Sequence, residues 1–325
     1  MVLAPLDPTT RRRHKLRNTV QTWLLVGGSI GLLVLCAFVF AGLEGIVWAA
    51  IFGTFLLVAS LRASPWMVLR LYRARPMTQA QFPEGARLVA ELSRRAELPA
   101  MPRLFYVPSR MMNAFAVGRP EESAICVTDG LIRGLTLRQL AGVLAHEISH
   151  IRNGDIRVMA VADMVARVTG AMSTAGIVLL FLNLPFVMSA DAPMPWLGIA
   201  ILLAAPTVGA LMQLALSRAR EYDADLDAVG LTGDPDGLAS ALQTLERRQG
   251  RMWEMMLPGQ RIPDPSLLRT HPRTQDRVAR LMSLRGRQAA PRRPYVAAPD
   301  RRPAPPLRTV PIVRAPRFRA LGLWY

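Results

Sequence analysis

Residues 144–155 read LAHEISHIRNGD and hold two of the four histidines in the chain, His146 and His150. Histidines four positions apart share one face of a helix, so both imidazoles can reach a single tetrahedral ion. Glu147 stands beside them, where a carboxylate can take a proton from a water activated by the metal. A chance pairing of this kind is rare in so histidine-poor a chain. The segment therefore predicts a helix that carries a metal site.

A third ligand is expected elsewhere, because a catalytic zinc commonly has three protein ligands. The metzincin spacing is excluded, since Asn153 and Ile156 stand where that motif needs Gly and His. The run EYDAD opens a further predicted helix, on which Glu221 and Asp225 share a face. Glu221 is a candidate ligand, and Asp225 is a candidate hydrogen-bond acceptor for a ligand histidine. An acidic, solvated helix face explains the same spacing equally well.

The composition is apolar and basic at once: 51% of the 325 residues are hydrophobic, and the formal net charge is +17. Ten arginines and one aspartate lie in the Pro-rich residues 285–325, which are predicted to be disordered. No zinc knuckle or basic recognition helix is found, so anionic lipid headgroups, not nucleic acid, are the expected partner. Cys36 and Cys126 are ninety positions apart and are predicted to be core residues.

Four apolar runs divide the chain, and each is long enough to cross a bilayer as a helix. They are residues 20–42, 43–61, 168–188 and 195–216. Lys and Arg flank the first and second runs on their outer sides and follow the fourth, but neither short connection contains any. The positive-inside rule then places both termini and the soluble parts in the cytoplasm. A buried helical hairpin of a soluble domain is the alternative for the third and fourth runs.

The first soluble part has the pattern of a small mixed domain. Helical periodicity from Pro83 to Leu98 is followed by three strand-like segments, Arg103–Val107, Asn113–Val117 and Ala124–Thr128. Thr136 and Gln139 then form a T-x-x-Q capping box that starts the histidine-bearing helix. The predicted fold class is α+β, mainly helical, in an integral membrane protein.

The predicted organisation alternates soluble and membrane parts. Its boundaries are 1–19 for a basic segment, 20–61 for a transmembrane hairpin, 62–165 for the first soluble part, 166–216 for a second hairpin, 217–284 for the second soluble part and 285–325 for the tail.

These motifs together resemble the HtpX membrane metalloproteases, kin to the CAAX prenyl proteases. The resemblance covers about residues 20–284 and rests on LAHEISHIRNGD, Asn113-Ala114-Phe115-Ala116, EYDAD and Thr270-His271-Pro272. It implies a gluzincin-type zincin domain, one Zn²⁺ per chain and a multi-pass protein of the inner (plasma) membrane with a cytoplasmic active site. For bacterial members it also implies stress-related quality control of damaged or misfolded membrane proteins.

The resemblance carries over residue by residue. It implies that His146, His150 and Glu221 bind zinc, that Glu147 is the general base and that Asp225 supports a ligand histidine.

Two further assignments follow from the same resemblance. Asn113, Ala114, Phe115 and Ala116 would form an edge strand on which an extended substrate adds, although an ordinary edge strand fits as well. His271 and Arg277 would stabilise an oxyanion, although a His-Pro pair followed by Arg is also common at a helix start.

The sequence leaves two alternatives to a quality-control protease open. One is a dedicated processing protease for a lipid-modified peptide. The other is a non-catalytic membrane scaffold that binds zinc, which the presence of Glu147 argues against.

Overall fold

A computed structural model of the protein describes residues 8–62, 65–189, 196–256 and 273–285. His271 and the predicted disordered tail after residue 285 lie outside these ranges. The elements in chain order are α1 (Pro8–Arg62), α2 (Pro65–Leu71), β1 (Arg75–Pro76), α3 (Pro83–Arg95), β2 (Arg103–Val107), β3 (Ala114–Arg119), β4 (Glu122–Thr128), α4 (Asp129–Gly134), α5 (Leu137–Asn153), α6 (Asp155–Ser189), α7 (Trp196–Thr232), α8 (Pro235–Met256) and α9 (Thr274–Arg285).

Within the described ranges, three helices are long and apolar enough to cross a membrane, with stretches at Thr19–Ala59, Asp155–Leu182 and Trp196–Thr232. The first stretch contains the predicted run 20–42 and most of the predicted run 43–61. Its helix is interrupted at Ala41 and Gly42, where φ at Gly42 is 60°. Glycine adopts this left-handed conformation without the steric cost that a Cβ would bring.

The two halves of α1 lie side by side on α6. Leu33 and Ala49, which are on opposite sides of the interruption, belong to one buried cluster with Val165 and Val168 of α6. The chain therefore reverses its direction at the interruption. Many large side chains on the outside of these helices are exposed, among them Trp23, Phe55 and Leu197. Such a surface is the one expected to face lipid.

The soluble part is built around a four-stranded sheet with the order β1-β2-β4-β3. β2 and β4 are parallel, while β1 and β3 pair antiparallel with their neighbours. β3 is therefore an edge strand. One face of the sheet packs against α2 through Leu69, Phe105 and Cys126. The other face packs against the helical core.

Helix α5 lies in the centre of that core. Its residues Leu140, Leu144 and Ile148 are fully buried and recur at the spacing of one helical face. Gly142 faces α8 so closely that a Cβ there would lie 3.0 Å from the Cα of Leu238. This close packing fixes the position of the helix that carries the histidines.

Several predictions about the soluble part are confirmed. β2 has the predicted bounds, the helix predicted from Pro83 is α3, and the Thr136–Gln139 capping box starts α5. The two buried cysteines are free.

The prediction that a new helix begins at Glu221 is wrong. Glu221 lies in the interior of α7, which continues from the fourth apolar run without interruption. The connecting residues Ser217 to Arg220 contain neither Gly nor Pro, so nothing in them stops a helix. The predicted boundaries between soluble and membrane parts at 165/166 and 216/217 lie within α6 and α7, and they stay a prediction.

Candidate metal centre

Three side chains converge at the centre of the soluble part. His146 and His150 come from α5 and Glu221 comes from α7, and one ligand atom of each lies within 4.8 Å of the others. The two Nε2 atoms of the histidines are 3.1 Å apart. Glu221 places Oε2 at 3.4 Å from Nε2 of His146 and Oε1 at 3.7 Å from Nε2 of His150.

These distances suit a small ion. Two ligand atoms bound at about 2.0 Å from one ion in tetrahedral geometry are about 3.3 Å apart. His146 and Glu221 are both buried, and a set of two imidazole nitrogens and one carboxylate is a common donor set for catalytic zinc. The residues present therefore fit a zinc ion.

A carboxylate lies behind each imidazole. Oδ1 of Asp225 is 3.1 Å from Nδ1 of His146, and Oδ2 of Asp155 is 2.7 Å from Nδ1 of His150. A carboxylate at Nδ1 favours the tautomer whose proton is on Nδ1, which leaves the Nε2 lone pair for a metal. Both histidines are thus oriented for binding at Nε2.

Arginines pair with both of these carboxylates. Arg277 from α9 donates from Nε to Oδ2 of Asp225 at 2.7 Å and from Nη2 to Oδ1 at 2.6 Å. Its third nitrogen, Nη1, lies 3.2 Å from Oε2 of Glu221. Arg220 donates from Nε to Oδ1 of Asp155 at 2.6 Å.

Sequence reasoning missed Asp155 and Arg220. Asp155 ends the histidine motif and Arg220 follows the fourth apolar run, but neither pattern assigns the residue a role at the site. Signals for both exist, because Asp155 follows the Gly154 that ends α5 and Arg220 directly precedes Glu221. Their pairing, however, joins residues that are far apart in the chain.

The other acids of the EYDAD region lie away from the three ligands. Asp223 contacts Arg220 at 3.3 Å, and Asp227 accepts a hydrogen bond from Asn153 at 2.9 Å. The first contact lies within α7, and the second holds α7 against the end of α5.

Glu147 lies between the ligands and the edge strand. Burial raises the pKa of its carboxyl group, while the nearby His146 and His150 act in the opposite direction. The backbone N–H of Ala116 in β3 lies close enough to this carboxyl group to lower its pKa as well. Glu147 thus has a defined position next to both the histidines and the strand.

The pKa of His146 reflects the same surroundings. Burial alone would lower it, but the carboxylates of Asp225 and Glu221 raise it to about 10. The two carboxylates therefore favour the charged form of this imidazole.

The free edge of β3 has an identifiable set of backbone groups. Thr128 of β4 donates to the carbonyl of Asn113, so Asn113 and every second residue after it bond to β4. The alternate residues Ala114, Ala116 and Gly118 direct their N–H and C=O groups away from β4. Of the four residues predicted for a substrate strand, Ala114 therefore presents both of its backbone groups at this edge. Ala116 presents its carbonyl group, because its N–H faces Glu147.

Comparisons with known proteins agree with this geometry. The profile of "Peptidase family M48" matches residues 79–285. A "Protease HtpX homolog" of Burkholderia ambifaria (strain MC40-6) is 35% identical over 281 residues, covering 82% of this chain and 97% of that protein. Its counterpart in Paraburkholderia phytofirmans is 36% identical over 287 residues, with the same coverage.

One solved structure is also similar. The crystal structure of S. mikatae Ste24p has a TM-score of 0.48 and 18% identity, covering 84% of this chain and 66% of that chain. The family match by itself spans more than half of the chain, and the curated relatives are aligned over nearly their whole length. The chain therefore belongs to peptidase family M48 and is a membrane metalloprotease similar to HtpX.

Proposed function

We propose that the chain is a zinc-dependent endopeptidase that holds one Zn²⁺ through His146, His150 and Glu221. The observation that carries this proposal is the convergence of the three ligand atoms within 4.8 Å, each on a side chain already oriented by its neighbours. Bound zinc would supply Lewis acidity and lower the pKa of a water molecule so that it can attack a peptide carbonyl.

Glu147 is the general base in this proposal. It follows His146 directly on α5, and its carboxylate lies near the backbone N–H of Ala116 at the edge of the sheet. From there it takes the proton of the attacking water and passes it to the leaving amine. Burial raises its pKa, so the carboxyl group keeps that proton more readily than an exposed glutamate would.

Asp225 and Arg277 position the ligands. Asp225 fixes the ring of His146, and Arg277 holds Asp225 and Glu221 through all three of its guanidinium nitrogens. Because these nitrogens already contact carboxylates, the geometry favours a positioning role for Arg277 over stabilisation of an oxyanion.

The substrate we propose is an extended segment of a damaged or misfolded membrane protein. Ala114, Gly118 and the carbonyl group of Ala116 offer backbone groups to which such a segment can add as a further strand, a mode that tolerates varied side chains. Glu121, in the turn after β3, lies 3.8 Å from Arg157 near the start of α6. The strand therefore ends beside a membrane-spanning helix, where membrane proteins are within reach.

We place the active site on the cytoplasmic side of the inner membrane. The arginines at 62, 70, 73 and 75 follow the first pair of apolar runs, and Arg218 and Arg220 follow the last one. Arginines at the ends of membrane helices favour the cytoplasmic face of the membrane and its anionic headgroups.

The test is hydrolysis of unfolded casein by the purified full chain in detergent. We expect cleavage that a chelator stops and zinc restores. Glu147→Gln should keep about one zinc per chain but lose roughly a hundredfold or more of the turnover, as expected for loss of a general base.

Glu246→Gln is the matched control, because Glu246 is an exposed glutamate on α8. It should leave both zinc content and turnover unchanged. A zinc-loaded wild-type protein without proteolytic activity would support the scaffold alternative instead. Equal activity in wild type and Glu147→Gln would show that another group is the base.

A further inference from the structure

The carboxylate behind His150 belongs to a membrane-spanning helix. Asp155 is the first residue of α6 and is only 3% exposed. Its Oδ2 lies 2.7 Å from Nδ1 of His150, the shortest distance of this kind among the described contacts of the two histidines with carboxylates.

A buried carboxylate needs a partner to remain charged, because an isolated charge out of water is costly. Arg220 supplies that partner: its Nε donates to Oδ1 of Asp155 at 2.6 Å, and Nη2 contacts the same oxygen. The guanidinium is itself mostly buried. One oxygen of Asp155 thus has a charged partner, while the other oxygen faces Nδ1 of His150.

The position of Arg220 in the chain links the pair to a second proposed ligand. Arg220 directly precedes the proposed ligand Glu221 on α7, at the point where the helix leaves its apolar stretch. The ion pair thus connects the first residue of α6 to the end of the apolar stretch of α7. This ion pair joins the two membrane helices. Asp155 contacts the proposed ligand His150, and Arg220 is the chain neighbour of the proposed ligand Glu221.

We propose that Asp155 and Arg220 are a positioning pair that sets the orientation of His150 and couples the metal centre to the membrane helices α6 and α7. Asp155 lies at Nδ1 of His150 as Asp225 lies at Nδ1 of His146. The arginine that pairs with Asp155 comes from the membrane helix α7, whereas the arginine that pairs with Asp225 comes from α9. The inference rests on the proposed zinc site, and it concerns metal binding and not the hydrolytic step.

The experiment measures zinc affinity of the full chain in detergent by competition with a chromophoric chelator, together with the visible absorption spectrum of the Co²⁺-loaded protein. Asp155→Ala should weaken zinc binding by about 10- to 100-fold, the usual cost of losing the partner of a ligand histidine. It should also change the Co²⁺ spectrum, because the imidazole is no longer fixed.

Two conservative variants separate charge from hydrogen bonding. Asp155→Asn keeps an oxygen that can accept from Nδ1, so we expect a smaller, several-fold loss of zinc affinity. Arg220→Ala should also weaken binding, and Arg220→Lys should restore part of that loss, because the ammonium still neutralises Asp155. These variants carry the test if Asp155→Ala does not fold.

Asp234→Ala is the matched control. Asp234 forms a comparable ion pair with Arg138, at the other end of α5 and far from the ligands. It should lower thermal stability but leave zinc affinity and the Co²⁺ spectrum unchanged. This comparison separates loss of positioning from general loss of stability.

The inference is wrong if Asp155→Ala, or Asp155→Asn where the former does not fold, binds zinc as tightly as wild type. It is also wrong if the loss of affinity equals that of Asp234→Ala. A wild-type protein that binds no zinc at all would overturn the proposed function together with the inference, so the two failures are distinguishable.

Discussion

Glu221 and Asp225 lie one helical turn apart on α7, yet their neighbours differ. Glu221 directs its oxygens at Nε2 of both histidines, whereas Asp225 faces Nδ1 of His146 from behind. This difference supports the proposed roles of Glu221 as a metal ligand and of Asp225 as the support of a ligand histidine.

Substitutions at the two positions should therefore have different effects on metal content. Glu221→Ala leaves two imidazoles, which hold zinc poorly, so the variant should be purified largely without metal and inactive. Asp225→Ala should bind zinc about 10- to 100-fold more weakly than wild type, because only the orientation of His146 suffers. Metal analysis by mass spectrometry, with chelator titration, measures both.

Asp276→Ala serves as the control for both substitutions, since Asp276 is an exposed acid on α9 next to Arg277. It should retain the zinc content of wild type. Full zinc in Glu221→Ala, combined with its loss in Asp225→Ala, would move the third ligand by one helical turn.

At the scale of elements, the packing of α5 against α8 depends on a missing side chain. Gly142 lies one turn before His146, and a Cβ at this position would be 3.0 to 3.2 Å from the Cα, N and Cβ atoms of Leu238. Most of these atoms are backbone, which cannot move aside without shifting a helix.

Gly142→Val should therefore destabilise the protein by about 1–3 kcal/mol, the usual cost of overpacking. The midpoint of thermal unfolding in detergent, followed by circular dichroism, should fall by several degrees relative to wild type.

Gly170→Val in α6 is the comparison, because a Cβ at Gly170 has no described atom within 4 Å. This variant should unfold close to the wild-type temperature. An equal fall in both variants would mean that loss of a helical glycine, and not contact with α8, determines the effect.

Local signals in the sequence predict the elements well where a pattern of nearby residues determines the structure. The capping box at Thr136 and the β2 strand from Arg103 to Val107 depend on such patterns, and both were found. The His-Glu-x-x-His spacing likewise places two ligands on one face without knowledge of the fold.

Other features depend on residues that only the fold brings together. The Asp155–Arg220 and Asp225–Arg277 pairs each join separate helices, and no spacing along the chain predicts such contacts. The continuity of α7 was missed for a related reason: the change from apolar to charged residues at Arg218 marks the end of a membrane stretch, which a helix can pass through unbroken.

At the scale of the whole molecule, the arginines near the ends of the membrane helices set a preferred orientation. We expect protease added to the outside of spheroplasts to leave residues 62–152 intact, and the same protease to cut this region in inverted membrane vesicles. Mass spectrometry of the released fragments reports the accessible sites.

A tag inserted in the short connection at residues 190–195 is the internal control for that experiment. It should be cut from the outside of spheroplasts and protected in inverted vesicles. Cleavage near Pro83 from the outside would reverse the assigned orientation and, with it, the side of the membrane on which the enzyme works.

The place of Glu221 at the far end of α7 also fixes when, during synthesis, the site can be complete. His146 and His150 are translated before α6, but a nascent chain has no third ligand until the ribosome has passed the apolar part of α7. Arg277, which holds that ligand, is translated later still. With the proposed ligands, the order of translation therefore completes the metal site only after both membrane helices have been synthesised.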